Sequence, residues 1–197
     1  MKKIGILAFH GDVIEHTEAT KQAAANLHLD VEVIPVRSVD SIKQIDALIL
    51  PGGESTTLYK LCERAKIWEK MKQINYIFGT CAGAIMLAKV VRHKMFDQKS
   101  LELMDIEIDR NAYGRQTDSF EKDVNTKLGP THAIFIRAPK IGKVGKSVTI
   151  LGKYNNQIIA CEERVGEKYY LAVCFHPELS SPLFHEYFLR KVYLFLS

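Results

Sequence analysis

Short apolar runs, each stopped by glycine, proline or a polar turn, restrict this chain's fold more than any other feature. In the first eighty residues they are "KIGILAF" (3–9), "VEVIPV" (31–36), "DALILP" (46–51) and "NYIFGT" (75–80). None alternates apolar with polar, which suits strands buried on both faces of a parallel sheet. Helix-like segments separate them. Asp12 is placed to cap the first, with Glu15 as its capping-box partner. Ala19, Ala23 and Leu27 then share a face at i, i+4 and i+8. A second helix is expected after Gly52-Gly53, through Leu58 and Leu61, and another opens at Ala82. Strand–helix alternation of this kind predicts an α/β fold.

The second half has a different texture. "MDIEID", "AIFIRAP", "VTILGKY", "QIIACEE" and "YYLAVCFHPE" form a strand-rich series with few helices between them. They predict an antiparallel extension of the sheet. A last helix starts near Pro182, with Phe184, Phe188, Val192 and Phe195 along one face. The expected architecture is three-layered: a mostly parallel sheet flanked by helices, with an antiparallel strand extension, in one domain over residues 1–197. A hydrophobic content of 47% is enough for such a core. The net charge of +4 comes from scattered basic residues, so no nucleic-acid footprint is expected. No apolar run reaches the length of a membrane span. The N-terminal run, ended by Gly11-Asp12, is too short for a secretory signal. Cys62, Cys81, Cys161 and Cys174 lack C-x-x-C spacing, which predicts reduced thiols in the cytoplasm and no zinc site.

The chemistry starts at "GTCAGAIMLAK" (79–89). Gly79-x-Cys81-x-Gly83 is the thiol counterpart of a nucleophile elbow, a sharp strand-to-helix turn. Ligands of open α/β sheets bind beyond the carboxyl ends of the strands, where Cys81 is expected. A helix N-terminus favours an anion, and the backbone N–H of Ala82 would face a developing oxyanion. A lone G-x-C-x-G is equally compatible with a buried structural cysteine. "FHPE" (175–178) supplies the missing parts. His176 and Glu178 are two apart and share a strand face, so His176 could take the thiol proton and Glu178 could orient the imidazole. The other six histidines show no comparable neighbour. Cys174 has the same strand parity and is a rival nucleophile, but it lacks the glycines and the helix start, and reads as packing. "LILPGGESTT" (48–57) is a third feature. Its paired glycines let backbone N–H groups approach a ligand and complete an oxyanion hole at Gly53, or it is an ordinary strand–turn–helix junction with a Ser cap.

In chain order, PGGES, G-T-C-A-G and F-H-P-E resemble a triad-type (class I) glutamine amidotransferase. "RNAYGRQTDSFE" (110–121) and "FIRAP" (135–139) narrow the resemblance to the glutaminase subunits of pyridoxal 5′-phosphate synthases. The resemblance implies hydrolysis of L-glutamine to glutamate and ammonia, with delivery of the ammonia to a separate TIM-barrel synthase subunit. It implies Cys81 as nucleophile, His176 as base and Glu178 as third member. Glutamine contacts fall on Gly53, Glu54, Ser55, Arg110, Ile136 and Arg137, with Gly53 and Ala82 as oxyanion hole. An α-amino acid needs a partner for each charge: Arg110 or Arg137 could meet its carboxylate, and backbone groups or Glu54 its ammonium. No cofactor and no metal is implied. Two stretches depart from the family pattern. His10 stands where the family has a glutamine near the synthase contact, and "VVRHKMFDQKS" (90–100) reads as a variable loop. The alternatives are a glutaminase serving another synthase, a cysteine peptidase on the same fold, or a non-catalytic scaffold.

Overall fold

The computed structural model describes residues 1–110 and 119–194. In chain order the first half runs β1 (Lys2–Leu7), α1 (Val13–Asn26), β2 (Val31–Val36), α2 (Val39–Ile42), β3 (Ala47–Leu50), α3 (Ser55–Arg64), α4 (Trp68–Met71), β4 (Tyr76–Thr80) and α5 (Ala82–Leu87). The second half runs β5 (Ala88–Arg92), β6 (Met104–Asp109), β7 (Phe120–Thr126), β8 (Gly129–Phe135), β9 (Lys140–Val144), β10 (Val148–Tyr154), β11 (Gln157–Val165), β12 (Lys168–Val173), a 3-10 turn at Pro177–Leu179, and α6 (Leu183–Leu194).

Among the described residues the strands join one sheet, in the order β2-β1-β3-β4-β12-β11-β10-β7-β8. The pairs β1–β2, β1–β3, β3–β4 and β4–β12 are parallel. From β12 outward the main path is antiparallel. A side branch carries β5, β6 and β9, in which β5–β6 is parallel and β9 pairs with β11.

The apolar runs of β1, β3 and β4 are buried as expected because both faces are covered, whereas β2 is an edge strand in which only Val36 is buried. Leu48 and Leu50 of β3 point into one core with Leu58 of α3 and Trp68 of α4, while Ala47 and Ile49 point into the other with Ala23 of α1 and Phe184 and Phe188 of α6. Alternate residues of a strand face opposite sides, so four consecutive buried residues in β3 require a layer on each side. No helix among the described residues is long and apolar enough to cross a membrane.

Several local expectations need correction. Asp12 precedes α1 but makes no side-chain capping bond, because its carboxylate is engaged elsewhere. The buried face of α1 runs through His16, Thr20, Ala23 and Ala24 instead of Ala19, Ala23 and Leu27. Glu54, not Ser55, caps α3: its carboxylate accepts from the Thr56 and Thr57 N–H groups. The apolar run after Cys81 leaves the helix at Leu87, and Ala88–Arg92 turns into a strand. Pro182 sits just ahead of α6, its carbonyl accepting the Glu186 N–H. Strands β7 and β9 had too little apolar pattern to be read from sequence. Phe195 and most of "RNAYGRQTDSFE", residues 111–118, lie outside the described residues.

Candidate active site

Cys81 is held in an unusual backbone state, with φ +47 and ψ −104. For a non-glycine residue that conformation costs about 1–3 kcal/mol and persists only where the surroundings enforce it. Here the enforcing contacts are specific. The Cys81 N–H donates to the Val173 carbonyl at 2.9 Å, so the turn is anchored to β12. Gly83 lies so close to β3 that an added Cβ would sit 2.0 Å from the Leu50 carbonyl oxygen. The strain and the glycines together aim the thiol out of the sheet's carboxyl end. Its Sγ donates to the Ile136 carbonyl at 3.9 Å, which brings the "FIRAP" segment directly over the cysteine. As the first residue of α5, Ala82 has an N–H with no partner inside the helix.

His176 and Glu178 do meet, though not as neighbours along a strand. Strand β12 ends at Val173, and the chain then crosses over the sheet: Cys174 N–H bonds the Ile159 carbonyl and His176 N–H bonds the Ile134 carbonyl of β8. The 3-10 turn at Pro177–Leu179 folds Glu178 back, so that its Oε1 lies 2.7 Å from His176 Nδ1. The Cys81 side chain is near enough to the same imidazole to favour its protonated form. Both partners are sheltered: His176 is 4% exposed and the Glu178 side chain 0%.

A second carboxylate reaches His176. Asp12 Oδ2 lies 3.1 Å from Nδ1, and the hydrogen bond to His176 holds the Asp12 carboxyl below its ordinary range. Burial alone would lower the His176 pKa. Contacts with Asp12, Cys81 and Glu178 outweigh it and hold the imidazole well above its usual value. Burial pushes the Glu178 carboxyl up, against the pull of His176.

The expectation that no other histidine has comparable neighbours fails for His16 and His185. Both are fully buried behind Glu178. His16 Nε2 is 3.4 Å from Glu178 Oε2 and 3.0 Å from Thr80 Oγ1, and His16 Nδ1 is 2.9 Å from His185 Nε2. Sequence reading missed them because a histidine inside a helical pattern carries no signal of its own. The one available cue was polar spacing in α1, with His16 and Thr20 four residues apart.

The open side of the site is a polar network. Arg110 Nη2 donates to Glu54 Oε1 at 2.8 Å and its Nη1 to Thr56 Oγ1 at 3.0 Å. Gln98 accepts from Arg110 and donates to Ser55 Oγ at 2.9 Å. Residues 90–92 of the expected 90–100 loop belong to β5, and the segment that follows folds down onto the start of α3: Gln98 is only 3% exposed, and Lys60–Asp97 pairs at 2.8 Å. Burial would raise the Glu54 carboxyl, but the cap bonds from Thr57 and Thr56 win and bring it down to about 2. Gly53 has φ +120, open to glycine and strained for other residues, and the His10 ring packs against it. Ile136 and Arg137 are exposed at the end of β8, and Arg137 has φ +43. Cys174 is a core residue, 1% exposed, with burial holding its thiol far above the ordinary range.

This geometry fits thiol-based acyl transfer, and comparison with known proteins agrees. The model of the SNO glutamine amidotransferase family matches residues 6–194. A crystal structure of a glutamine amidotransferase superposes with a TM-score of 0.81 at 37% identity, covering 96% of this chain and 98% of the other. The chain belongs to the SNO glutamine amidotransferase family. Within it, a pyridoxal 5′-phosphate synthase subunit PdxT of Pyrococcus horikoshii is 42% identical, over 96% of this chain and 99% of its own length. Another from Methanothermobacter thermautotrophicus is 39% identical, over 98% and 97%.

Proposed function

We propose that this chain is the glutaminase subunit of a pyridoxal 5′-phosphate synthase. It hydrolyses L-glutamine to L-glutamate and ammonia and passes the ammonia to a separate TIM-barrel synthase subunit. One observation carries the reading: a strained Cys81 at the start of α5 beside an imidazole whose Nδ1 is 2.7 Å from a buried carboxylate.

In this mechanism the Cys81 sulfur attacks the side-chain amide carbon of glutamine. The amide oxygen takes up negative charge facing the backbone N–H groups of Ala82 and Gly53. The C–N bond then breaks, and His176 gives its proton to the departing nitrogen, which leaves as ammonia. A water molecule, deprotonated by His176, attacks the thioester carbon and releases glutamate and the thiol. Glu178 keeps His176 in the required tautomer and balances the charge of the imidazolium, with Asp12 as a second anion on the same nitrogen. Arg110 or Arg137 receives the substrate carboxylate. Glu54, Ser55 and the Gly53 and Ile136 backbone line the rest of the amino-acid site. The chain acts as one domain in the cytoplasm, without cofactor or metal, and engages neither nucleic acid nor membrane.

Because the Gly53 peptide can rotate at little cost, we read the isolated chain as a weak glutaminase that the synthase activates. The test is glutamate release from glutamine with and without the synthase. A rise when the synthase is added, absent in Cys81→Ala, supports the reading. Full activity of the chain alone, unchanged by saturating synthase, rules out the activation step. No hydrolysis under either condition rules out the glutaminase.

A further inference from the structure

The buried pair His16–His185 lies behind the triad and has no assigned role. His16 comes from α1, His185 from α6, Thr80 from the end of β4 and Glu178 from the 3-10 turn. Glu178 Oε1 is taken by His176, whereas Glu178 Oε2 is buried and has no hydrogen bond among the described residues. His16 Nε2 faces it at 3.4 Å.

Proton counting decides how the pair is arranged. Burial drives both histidines towards the neutral form, His185 down to about 3. Each then carries one N–H. If His16 is protonated on Nε2, that N–H faces Thr80 Oγ1 and Glu178 Oε2, and His16 Nδ1 accepts from His185 Nε2–H at 2.9 Å. The leftover group is then the bare lone pair of His185 Nδ1, which indeed has no partner among the described residues. The opposite tautomer places an unpartnered N–H at His185 Nδ1 and a lone pair against a carboxylate oxygen. A buried donor left unmade is the costlier error, so the first arrangement wins.

We propose that His16 is a positioning residue for the triad: its Nε2–H, its tautomer locked by His185, faces the outer oxygen of Glu178 and keeps that carboxylate ionised and turned towards His176. The proposal rests on the glutaminase reading for its link to rate, but not for its structural content. The other titratable groups facing this cluster are Asp12 beside α1 and His176 beside the 3-10 turn. Without the His16 N–H, a buried carboxyl takes up a proton more readily, and neutral Glu178 no longer supports the His176 cation that accompanies a reactive Cys81 sulfur.

The test uses the full chain with two substitutions. His16→Leu removes the donor, and His16→Gln returns an N–H near the Nε2 position. The first readout is the rate of Cys81 alkylation by iodoacetamide against pH, with Cys81→Ala as blank. His16→Leu is expected to slow alkylation near neutral pH about tenfold and to move its pH profile upward, with most of the loss recovered in His16→Gln. With synthase present, kcat for glutamine falls by the same factor and KM stays level, because His16 does not touch substrate. A His16→Leu protein with the wild-type alkylation profile overturns the proposal, as does a His16→Gln protein that falls as far as His16→Leu. Should His16→Leu not fold, ¹⁵N-histidine NMR of the wild-type chain decides. A neutral His16 protonated on Nε2 between about pH 5 and 9 is expected, and an Nδ1–H or cationic His16 overturns it. A wild-type chain that does not hydrolyse glutamine sinks the glutaminase reading while leaving the alkylation and NMR arms readable.

Discussion

Cys81, His176 and His16 are 6%, 4% and 0% exposed, held respectively at the β4–α5 turn, in the segment bonded to β8 after β12 ends, and on α1. Across the same site, the Glu54 side chain is 45% exposed and Arg110 15%, on the lip of α3 and at the end of β6. Arg137 is exposed as well. The buried side forms its contacts before any substrate arrives and cannot give way without disturbing the core. The open side is a set of mutually satisfied charges, in which Arg110 already has Glu54, Thr56 and Gln98 as partners. A substrate carboxylate must compete with those partners or add to them. The chemistry therefore sits where the fold is rigid, and recognition where side chains can exchange partners.

The comparison is tested hardest by the two cysteines. Cys81→Ala should lower glutamine hydrolysis by about 10⁴-fold or more, because triad members act as a unit. Its thermal midpoint should stay close to wild type, since the turn is anchored through the backbone and the neighbouring glycines and not through the thiol. Cys174→Ser should keep most of the activity. Loss of hydrolysis in Cys174→Ser with activity retained in Cys81→Ala would reverse the assignment.

Next in size is Gly83→Ala. A methyl group there meets the Leu50 carbonyl at 2.0 Å, and a backbone oxygen cannot rotate aside. We expect a loss of about 3 kcal/mol, seen as a fall in thermal midpoint of roughly 10 °C, with activity dropping because the Cys81 turn moves as well. A midpoint within a degree of wild type would show that the buried side is softer than argued.

The arginines probe the open side. Removing a charge-assisted contact costs about 1.5–3 kcal/mol of binding, or tens-fold in KM. Arg137→Ala should raise KM with the melting temperature unchanged. Arg110→Ala should raise KM and also lower the melting temperature, since it unties Glu54, Thr56 and Gln98. Unchanged KM in both variants would mean that neither binds glutamine.

How far the sequence could be read follows the same division. The strands β1, β3 and β4 were legible because burial on both faces leaves an uninterrupted apolar run, and the Gly79-x-Cys81-x-Gly83 spacing announces a turn that only a packed junction needs. His176 and Glu178 were found by spacing, but on a mistaken premise: they meet through a 3-10 turn after the strand has ended. Asp12 was misread because a capping residue and a charge partner for histidine look alike in one dimension. Gln98 was invisible, since a polar residue in a charged loop is ordinarily solvated, and only the three-dimensional return of that loop buries it. The same holds for His16 and His185, 169 residues apart yet in hydrogen-bond contact.

The smallest expected effect concerns Glu54 and acid. Burial pushes its carboxyl up, but the bonds that Thr57 and Thr56 donate to the ionised form prevail, and the folded pKa of about 2 lies below the ordinary value of 4.5. A carboxylate with a depressed folded pKa stabilises the fold above its unfolded value, and that contribution disappears as pH falls through the folded one. Solvent screens an exposed group, so the contribution at neutral pH is about 1 kcal/mol. Glu54→Gln keeps an acceptor for the cap and removes only the charge. Its unfolding free energy should lie about 1 kcal/mol below wild type at pH 7, and the two curves should converge between pH 4.5 and about 2. At Glu178 the sign reverses, because burial holds that carboxyl up and its ionisation in the folded chain costs stability as pH rises. Denaturant titrations of Glu54→Gln and wild type from neutral to acid pH measure the difference directly. Parallel curves that never converge would show that ionisation of Glu54 adds nothing to the stability of the fold.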